Sequence, residues 1–288
     1  MRSRRLKILL LGPFFYWKES PRSAMLLIAA IFALTILSQV GGVILWACLP
    51  IADVWGVRLR WRFAASGAVF VFAYLSTVIF LVPAVAKQMG RVPLPWRATP
   101  EFALAPQTIA FPLLARNYVR PQVRTMLADV ARVVSNEIPG VTVRYYDAGF
   151  PFLNGFPLLP HRSHSDGRKV DIGYFYRDAR TKQPRPSGSP SPVGYLAYEQ
   201  PRLGEPTPYK NLRCPLRWNV DFLQPLFAGA EMDPERTRLL ISAFAAHPAV
   251  RKVLLEPHLQ FRLGLDQEKI RAQGCNAARH DDHFHVQI

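Results

Sequence analysis

Two long uncharged segments constrain this chain more than any other feature of its sequence. Residues 23–52 and 63–86 contain no Asp, Glu, Lys or Arg. A helix needs about 20 apolar residues to cross a bilayer, and each segment is long enough. A cleaved signal peptide does not fit the first segment, because its apolar run is too long and no small-residue cleavage site ends it. We therefore predict a membrane anchor over residues 1–87, with transmembrane helices at about 25–49 and 63–86.

The charges that flank these segments give conflicting evidence about orientation. The stretch before the first segment is basic, and the short connection between the segments contains Arg58, Arg60 and Arg62. Cytoplasmic loops carry an excess of Lys and Arg, so both stretches should lie on the cytoplasmic side. Two spans cannot place them there together. The flanking charges alone leave the orientation open.

The net charge of +16 suggests nucleic-acid binding at first sight. Much of this charge flanks the apolar segments, however. From residue 101 onward there are 24 Lys and Arg against 18 Asp and Glu, a surplus of only 6. No basic run interleaved with aromatic residues occurs there. We therefore predict no nucleic-acid partner, and the weak surplus also argues against a histidine–metal nuclease. It suits an anionic wall polymer or lipid headgroups.

The rest of the chain predicts a proline-rich tether at residues 88–120 and an α+β domain at residues 121–288. Apolar periodicity and capping residues predict helices at 121–138, 218–227 and 233–246, and strands at 141–146, 170–176, 250–255 and 283–288. These elements suit a small antiparallel sheet flanked by helices. The turn-rich loop at 182–209 is either a substrate-binding rim or a disordered insertion.

Five of the seven histidines fall in two clusters that are far apart in the sequence. They are His161 and His164 in the first cluster, and His280, His283 and His285 in the second. On a strand, alternation places His283 and His285 on one face and Phe284 on the other. Asp171 lies near the start of another predicted strand. Surface histidines in polar loops are the alternative, but two clusters beside apolar runs favour one shared metal site.

These residues resemble the zinc signature of the LAS metallopeptidases, which include lysostaphin-type enzymes, D-Ala-D-Ala peptidases and the hedgehog fold. The resemblance rests on the segment SHSDGRKVD at 163–171 and on HFH at 283–285. The extra His161 and the ending HDDHFH at 280–285 are similar to the penicillin-insensitive murein endopeptidase branch. Residues 247–264 are similar to its passage from helix to strand. The resemblance covers residues 161–288, extends more weakly from residue 121, and does not reach the membrane segments.

The resemblance implies a zinc ion held by three protein ligands, which are His164, Asp171 and His285. It also implies three catalytic histidines, which are His283 as the general base and His280 and His161 beside the oxyanion or the substrate. Three ligands leave one coordination position open, as in catalytic zinc sites. A neutral imidazole next to that position can transfer protons.

Several neighbouring residues have less definite parts in this picture. Gly167 would permit the turn between the first two ligands. Arg168 and Lys169 depart from the small or apolar residues of the family, which affects the expected shape of the substrate rim. Asp281 and Asp282 either orient histidine rings or are solvated loop carboxylates. Two further histidines are expected to be structural, and these are His247 and His258.

The resulting hypothesis is a membrane-anchored zinc peptidase that hydrolyses amide bonds in the crosslinks or stems of peptidoglycan. Its substrate lies outside the inner membrane, so the catalytic domain should be periplasmic. The architecture also resembles wall peptidases associated with type VI secretion, which implies envelope components of that apparatus as partners. The alternative is a non-catalytic envelope scaffold with a structural zinc. Cys214 and Cys275 either form a disulfide, which would indicate an oxidising compartment, or remain free thiols.

Overall fold

The computed structural model describes residues 7–8, 10–11, 20–52, 59–159, 161–186, 188–194, 199–209, 212–214, 217, 221–275, 279–280 and 282–288. The helices are α1 (Pro21–Ser38), α2 (Gly41–Ala52), α3 (Leu59–Ser76), α4 (Val82–Gln88), α5 (Ala110–Leu113), α6 (Pro121–Glu137), α7 (Pro234–Ala246) and α8 (Pro257–Leu263). The strands are β1 (Val92–Pro93), β2 (Leu104–Pro106), β3 (Tyr118–Val119), β4 (Val143–Tyr145), β5 (Lys169–Gly173), β6 (Tyr176–Asp178), β7 (Ala230–Met232), β8 (Lys252–Leu254), β9 (Ile270–Arg271) and β10 (His283–Gln287). A mixed α+β fold, as predicted, is therefore confirmed.

The first predicted span is not one helix. The chain breaks after α1 at Gln39, whose φ of 64° lies in the left-handed region. α2 then packs back against α1. The two helices are so close at Gly42 that an added Cβ would lie 1.9 Å from Thr35 Oγ1 and 2.3 Å from Ile31 O. Only glycine permits this approach of the two helices. The prediction of a single helix at 25–49 is therefore wrong, whereas the second predicted span is helical throughout.

Two helical segments are long and apolar enough to cross a membrane. They are Pro21–Ser38 and the stretch Gly67–Gln88, in which a π-helical turn at Thr77–Leu81 joins α3 to α4. Only 11% of each segment is buried inside the protein. A core helix of a soluble domain would be mostly buried, which neither segment is.

The main sheet has six strands in the order β2-β4-β5-β10-β8-β9. The pairs among β4, β5, β10 and β8 are antiparallel, while β2 with β4 and β8 with β9 are parallel. The predicted antiparallel sheet is thus correct in the centre and wrong at both edges. Phe284 of β10 is fully buried, and its ring packs edge-on against Phe244 of α7 with a centroid distance of 5.4 Å. The core therefore lies between the central strands and the helices.

Residues 88–120 are part of the folded domain and not a tether. β2 from this segment extends the main sheet beside β4, and β1 pairs with β3. Leu94 and Leu104 are buried in the core, and the Tyr145 hydroxyl donates to Pro95 O at 2.8 Å. These contacts join residues far apart in sequence, so the proline content and the weak periodicity of the segment did not reveal them.

Several predicted boundaries also shift. The predicted strand at 170–176 is interrupted, so that β5 ends at Gly173 and β6 begins at Tyr176. In the region of the predicted helix at 218–227, the structure has a 3₁₀-helix at Asp221–Phe227, and residues 218–220 lie outside the described part. The helix capped by Asp233 is confirmed, since the Asp233 side chain accepts a hydrogen bond from Arg236 N.

The turn-rich loop is held to the domain in its described parts, residues 182–186, 188–194 and 199–209. The Tyr146 hydroxyl donates to Ser191 O at 3.1 Å. Arg262 forms ion pairs with Glu199 at 3.2 Å and with Glu205 at 2.8 Å. A disordered insertion is therefore wrong for these parts. Beyond the loop, Cys214 and Cys275 form a disulfide across a separation of 61 residues, which decides between the two alternatives for these cysteines.

Candidate metal centre

The pairing of β5 with β10 brings the two predicted clusters together. Asp171 lies directly opposite His285 in this antiparallel pair, and Gly173 lies opposite His283. The His285 Nδ1 and Asp171 Oδ1 atoms are 3.0 Å apart. Phe284 points into the core, so His283 and His285 share the other face of the strand. This confirms the alternation predicted from the sequence.

A short 3₁₀-helix at Arg162–Asp166 carries His164 to the same place. His164 Nδ1 lies 2.9 Å from Ala148 O, to which it donates, and this bond fixes the tautomer in which Nε2 is the acceptor. His164 Nε2 is 2.9 Å from His285 Nδ1 and 3.2 Å from Asp171 Oδ1. Two nitrogens and one carboxylate oxygen therefore form a compact triangle.

The triangle has the dimensions and the donor types of a metal site. Ligand atoms about 2.1 Å from a tetrahedral zinc ion lie about 3.4 Å from one another. The three distances here are 2.9, 3.0 and 3.2 Å. His164, Asp171 and His285 are at most 3% exposed, so the donors are shielded from water. Buried His and Asp groups in this region could thus hold a metal ion.

The remaining three predicted histidines surround this triangle. His161 Nδ1 lies 2.6 Å from Asp171 Oδ2, the second oxygen of the same carboxylate. The rings of His161 and His283 are 5.4 Å apart between centroids, and those of His280 and His283 are 4.9 Å apart. Nitrogens of His161, His280 and His283 all lie within 4.8 Å of one another. All six predicted site residues therefore occupy one buried cluster.

Opposite charges set the protonation states in this cluster. Burial lowers the pKa of His161, but the carboxylates of Asp171 and Asp147 outweigh burial and raise it to about 10. Burial raises the pKa of Asp171, yet His161 and His164 hold it well below its usual range. Burial, together with the neighbouring His164, lowers the pKa of His285 to about 4 despite its bond to Asp171. Asp171 is thus ionised and His285 neutral, the forms that bind metal.

His283 has a carboxylate partner of its own. Its Nδ1 lies 2.6 Å from Asp282 Oδ1. Burial lowers the pKa of His283, but the Asp282 carboxylate outweighs burial and raises it. In contrast, burial and the nearby His283 and His285 lower the pKa of His280 well below its usual value. Asp282 therefore orients a ring, one of its two predicted roles, whereas Asp281 lies outside the described residues.

Sequence reasoning missed a buried carboxylate behind His161. Asp147 is 2% exposed and forms a two-point ion pair with Arg116, at 2.5 and 2.7 Å. Its Oδ2 is 3.8 Å from His161 Nδ1. Asp147 follows the predicted strand at 141–146 directly. An acidic residue at the end of a buried strand beside the site was therefore a usable signal.

A second missed carboxylate supports the other cluster. Glu256 is 2% exposed, and its Oε1 accepts a hydrogen bond from His280 N at 3.0 Å. Its Oε2 accepts from Arg217 at 2.7 Å. The Tyr174 hydroxyl donates to His280 O at 2.8 Å. Both backbone groups of His280 are therefore held by side chains from other elements.

The positively charged loop residues that depart from the family pattern brace the first cluster. Lys169 Nζ donates to Ser163 O at 2.7 Å and to Asp166 Oδ2 at 2.8 Å. Asp166 Oδ1 also accepts from Arg168 N at 2.9 Å. Lys169 thus fastens both ends of the turn that carries His164.

A buried arginine just before β1 lies behind the same turn. Arg91 is 1% exposed, and its guanidinium donates to Asn154 Oδ1 at 2.6 Å and to Ser165 O at 3.3 Å. Gly167 has a φ of 69°, and a Cβ there would lie 2.0 Å from Arg91 Nη1. The glycine is needed for the turn, as predicted, and also for the close approach of Arg91, which the sequence did not indicate.

We expect Gly167→Ala to destabilise the protein more than Gly155→Ala. Both glycines have positive φ, but a Cβ at Gly155 meets no atom within 4 Å. The control therefore carries only the backbone cost of about 1–2 kcal/mol, whereas Gly167→Ala also displaces Arg91. Thermal unfolding of the two purified variants checks this. Equal melting temperatures would show that Arg91 accommodates the methyl group freely.

The two histidines expected to be structural lie outside the cluster. His258 Nε2 is 2.6 Å from Glu199 O, and His247 Nε2 is 3.7 Å from Asp129 Oδ2. A cavity of about 760 Å³ lies next to His258, lined by residues 200–209, Glu256 and others but by none of the six predicted site residues. A different part of the loop approaches the cluster, since a Cβ at Gly194 would lie 3.6 Å from His283 Nδ1. The substrate-binding rim stays a prediction.

Six side chains from two distant parts of the sequence, residues 161–171 and 280–285, therefore converge on one buried, partly charged cluster. The arrangement can bind a divalent cation through nitrogen and carboxylate oxygen, and it can exchange protons beside that cation. Comparison of the chain with models of known protein families and with curated proteins finds no match.

Proposed function

We propose that the protein is a membrane-anchored zinc peptidase that hydrolyses amide bonds in the peptide crosslinks or stems of peptidoglycan. The observation that carries the proposal is the triangle of His164 Nε2, Asp171 Oδ1 and His285 Nδ1, with sides of 2.9–3.2 Å. It uses the three residues that resemble the LAS zinc ligands. Three protein ligands leave a position for the substrate, which distinguishes a catalytic from a structural site.

The surrounding residues supply the proton transfers and the charge. Zinc bound here would polarise the scissile carbonyl and lower the pKa of water to about 7. Asp282 holds His283 Nδ1, which makes Nε2 the nitrogen that accepts a proton and returns it to the leaving amine. His161 is positively charged between Asp171 and Asp147 and would stabilise negative charge on the substrate. His280, whose low pKa keeps it neutral, would orient the substrate.

The disulfide and the apolar helices support a location outside the inner membrane. Cys214–Cys275 suits an oxidising compartment such as the periplasm. The apolar segments Pro21–Ser38 and Gly67–Gln88 would hold the domain close to the wall. A membrane-tethered wall peptidase suits the local opening of peptidoglycan for a secretion apparatus, with envelope components as its partners.

A structural zinc site in a scaffold protein is the second candidate. One observation favours it, since ligand atoms of Asp171, His280 and His285 lie within 4.8 Å of one another. His280 as a fourth ligand would close the site and leave no room for a substrate. Partners would then bind elsewhere, for instance at the aromatic loop of residues 150–156.

Removal of the metal tests the proposal directly. We expect a chelator to abolish digestion of purified sacculi by the full-length protein in detergent, and one equivalent of zinc to restore it. Chelation should also lower the melting temperature, because a ligand that binds only the folded state stabilises it. Mass spectrometry of the released peptides identifies the bond that is cut. Intact sacculi in the presence of zinc, with the metal bound, would favour the scaffold.

A further inference from the structure

The path of the chain through the three apolar helices bears on the conflict between the flanking charges. α1 and α2 form a hairpin, because Gly42 at the start of α2 lies against Thr35 and Ile31 near the end of α1. The hairpin turns at Gln39, where Ser38 Oγ accepts from Gly41 N at 2.9 Å. α2 therefore runs back toward the level at which α1 begins.

The turn of this hairpin faces the histidine domain. Gln39 is 7% exposed, and its Oε1 accepts a hydrogen bond from Phe152 N at 3.0 Å. The Tyr74 hydroxyl of α3 donates to Leu113 O at 2.8 Å and also lies beside the Ser38 hydroxyl. Residues 38–40 and Tyr74 thus lie at one level, and the domain contacts the bundle there. Beyond this level α3 and α4 continue along the domain, where Val78, Val82 and Ala86 share a buried cluster with Ala115 and Tyr118.

α3 must therefore run antiparallel to α2. It begins at Leu59 and reaches the domain level at Tyr74, a rise of about 22 Å at 1.5 Å per residue. One apolar cluster supports this pairing, since it contains Ile44 and Cys48 of α2, and Phe70 and Tyr74 of α3 pack against it. α1 and α3 therefore run toward the domain, and α2 runs away from it. The start of α1 and the start of α3 lie at the same end of the bundle, away from the domain.

We propose that the chain crosses the bilayer three times and that its basic residues bind anionic lipid headgroups of the cytoplasmic leaflet. Arg22 is exposed at the start of α1, and Arg60 and Arg62 lie in the first turn of α3. With three crossings, both basic stretches lie on one side and the histidine domain on the other. The two basic stretches that precede α1 and α3 then both obey the positive-inside rule.

The described surface of the bundle carries side chains that suit lipid. Large apolar side chains are exposed on each helix, with Phe32 at 67%, Val43 at 68% and Phe72 at 75%. Segments 23–52 and 63–86 carry no charge that would have to enter the hydrocarbon region. α2 is about 18 Å long, shorter than the hydrocarbon core, a mismatch that local thinning of the bilayer accommodates.

Cysteine labelling in the full-length protein tests this topology. Cys48→Ala leaves only the disulfide-bonded pair, so a single added thiol reports its own side of the membrane. Three variants in this background are Ser3→Cys, Val54→Cys and Arg180→Cys, the last on the exposed turn after β6. The probe is a membrane-impermeant maleimide, applied to cells of a Gram-negative host with a permeable outer membrane. Labelling in denaturant gives the total for each variant.

We expect Arg180→Cys to react in these cells, and Ser3→Cys and Val54→Cys to react only after the inner membrane is also made permeable. Residues 3 and 54 on opposite sides would overturn the third crossing. So would a thiol at residue 54 that reacts only in denaturant, because it would lie within the bilayer. All three thiols on one side would show that no crossing occurs. The result is independent of peptidase activity, so this proposal and the proposed function can fail separately.

Discussion

Replacing His283 with alanine is expected to reduce hydrolysis of sacculi by about 10²–10⁴-fold while one metal ion stays bound. His283 is the proton-transfer group of the proposed reaction, and none of its atoms belongs to the triangle of ligand atoms. Its partner Asp282 lies 2.6 Å away and does not contact Asp171 or His285 in any described bond. Removal of this ring should therefore abolish proton transfer and leave the three metal ligands in place.

Activity, metal content and melting temperature must be measured together for this variant. His258→Ala is the matched control, because His258 is also buried but lies outside the cluster, where its Nε2 bonds to the backbone carbonyl of Glu199. The correctly folded fraction of this variant should still bind the metal and still hydrolyse sacculi. Loss of metal from His283→Ala in parallel with activity would instead indicate that His283 is a ligand of a closed, structural site.

Replacing Asp171 with asparagine is expected to remove the metal and to destabilise the fold by about 3–5 kcal/mol. Asp171 is fully buried and contacts His161, His164 and His285 at 2.6–3.2 Å. An amide of the same shape cannot compensate the charge on His161, so the pKa of that imidazole should fall. Asparagine also turns one acceptor into a donor, which faces a histidine nitrogen. A buried pair with one partner removed costs far more than an exposed one.

Metal analysis and denaturant unfolding of the full-length variant check this prediction. Asp129→Asn is the control, because Asp129 is an exposed carboxylate of α6 paired with Arg132 at 2.7 Å. Exposed pairs contribute about 0–1 kcal/mol, so the control should be close to the unchanged protein. A stable Asp171→Asn variant that retains its metal would contradict the ligand assignment and, with it, the proposed function.

The candidate site could be predicted largely because its residues have strong local patterns. The alternation of His283, Phe284 and His285 follows from strand geometry alone, and the structure has all three side chains on the expected faces. The spacing of His164 and Asp171 suits a turn that leads into a strand. Local pattern cannot identify the partner strand. The two clusters beside apolar runs indicated a shared site, and the resemblance added which residues are ligands, so that His164 was expected near His285, 121 residues away.

The parts that could not be predicted depend on contacts between distant residues. The segment at 88–120 has no clear periodicity, yet Leu104 enters the sheet because β4 is beside it. The break at Gln39 lies within an uncharged run, where only the polar Ser38 and Gln39 and the glycines at 41 and 42 hint at a turn. Asp147 and Arg91 are charged residues buried against partners that appear far away in sequence. Secondary-structure propensity is a local property and does not predict such long-range contacts.

The central position of β10 has a consequence for biosynthesis. This strand lies between β5 and β8 and is made more than a hundred residues after β5. While the ribosome is still adding the intervening residues, the two halves of the sheet have no strand to join them. Such distant pairing is slow, and it can begin only when β10 has emerged. The same event delivers His283 and His285, so the nascent chain lacks the complete histidine cluster until its last strand has paired.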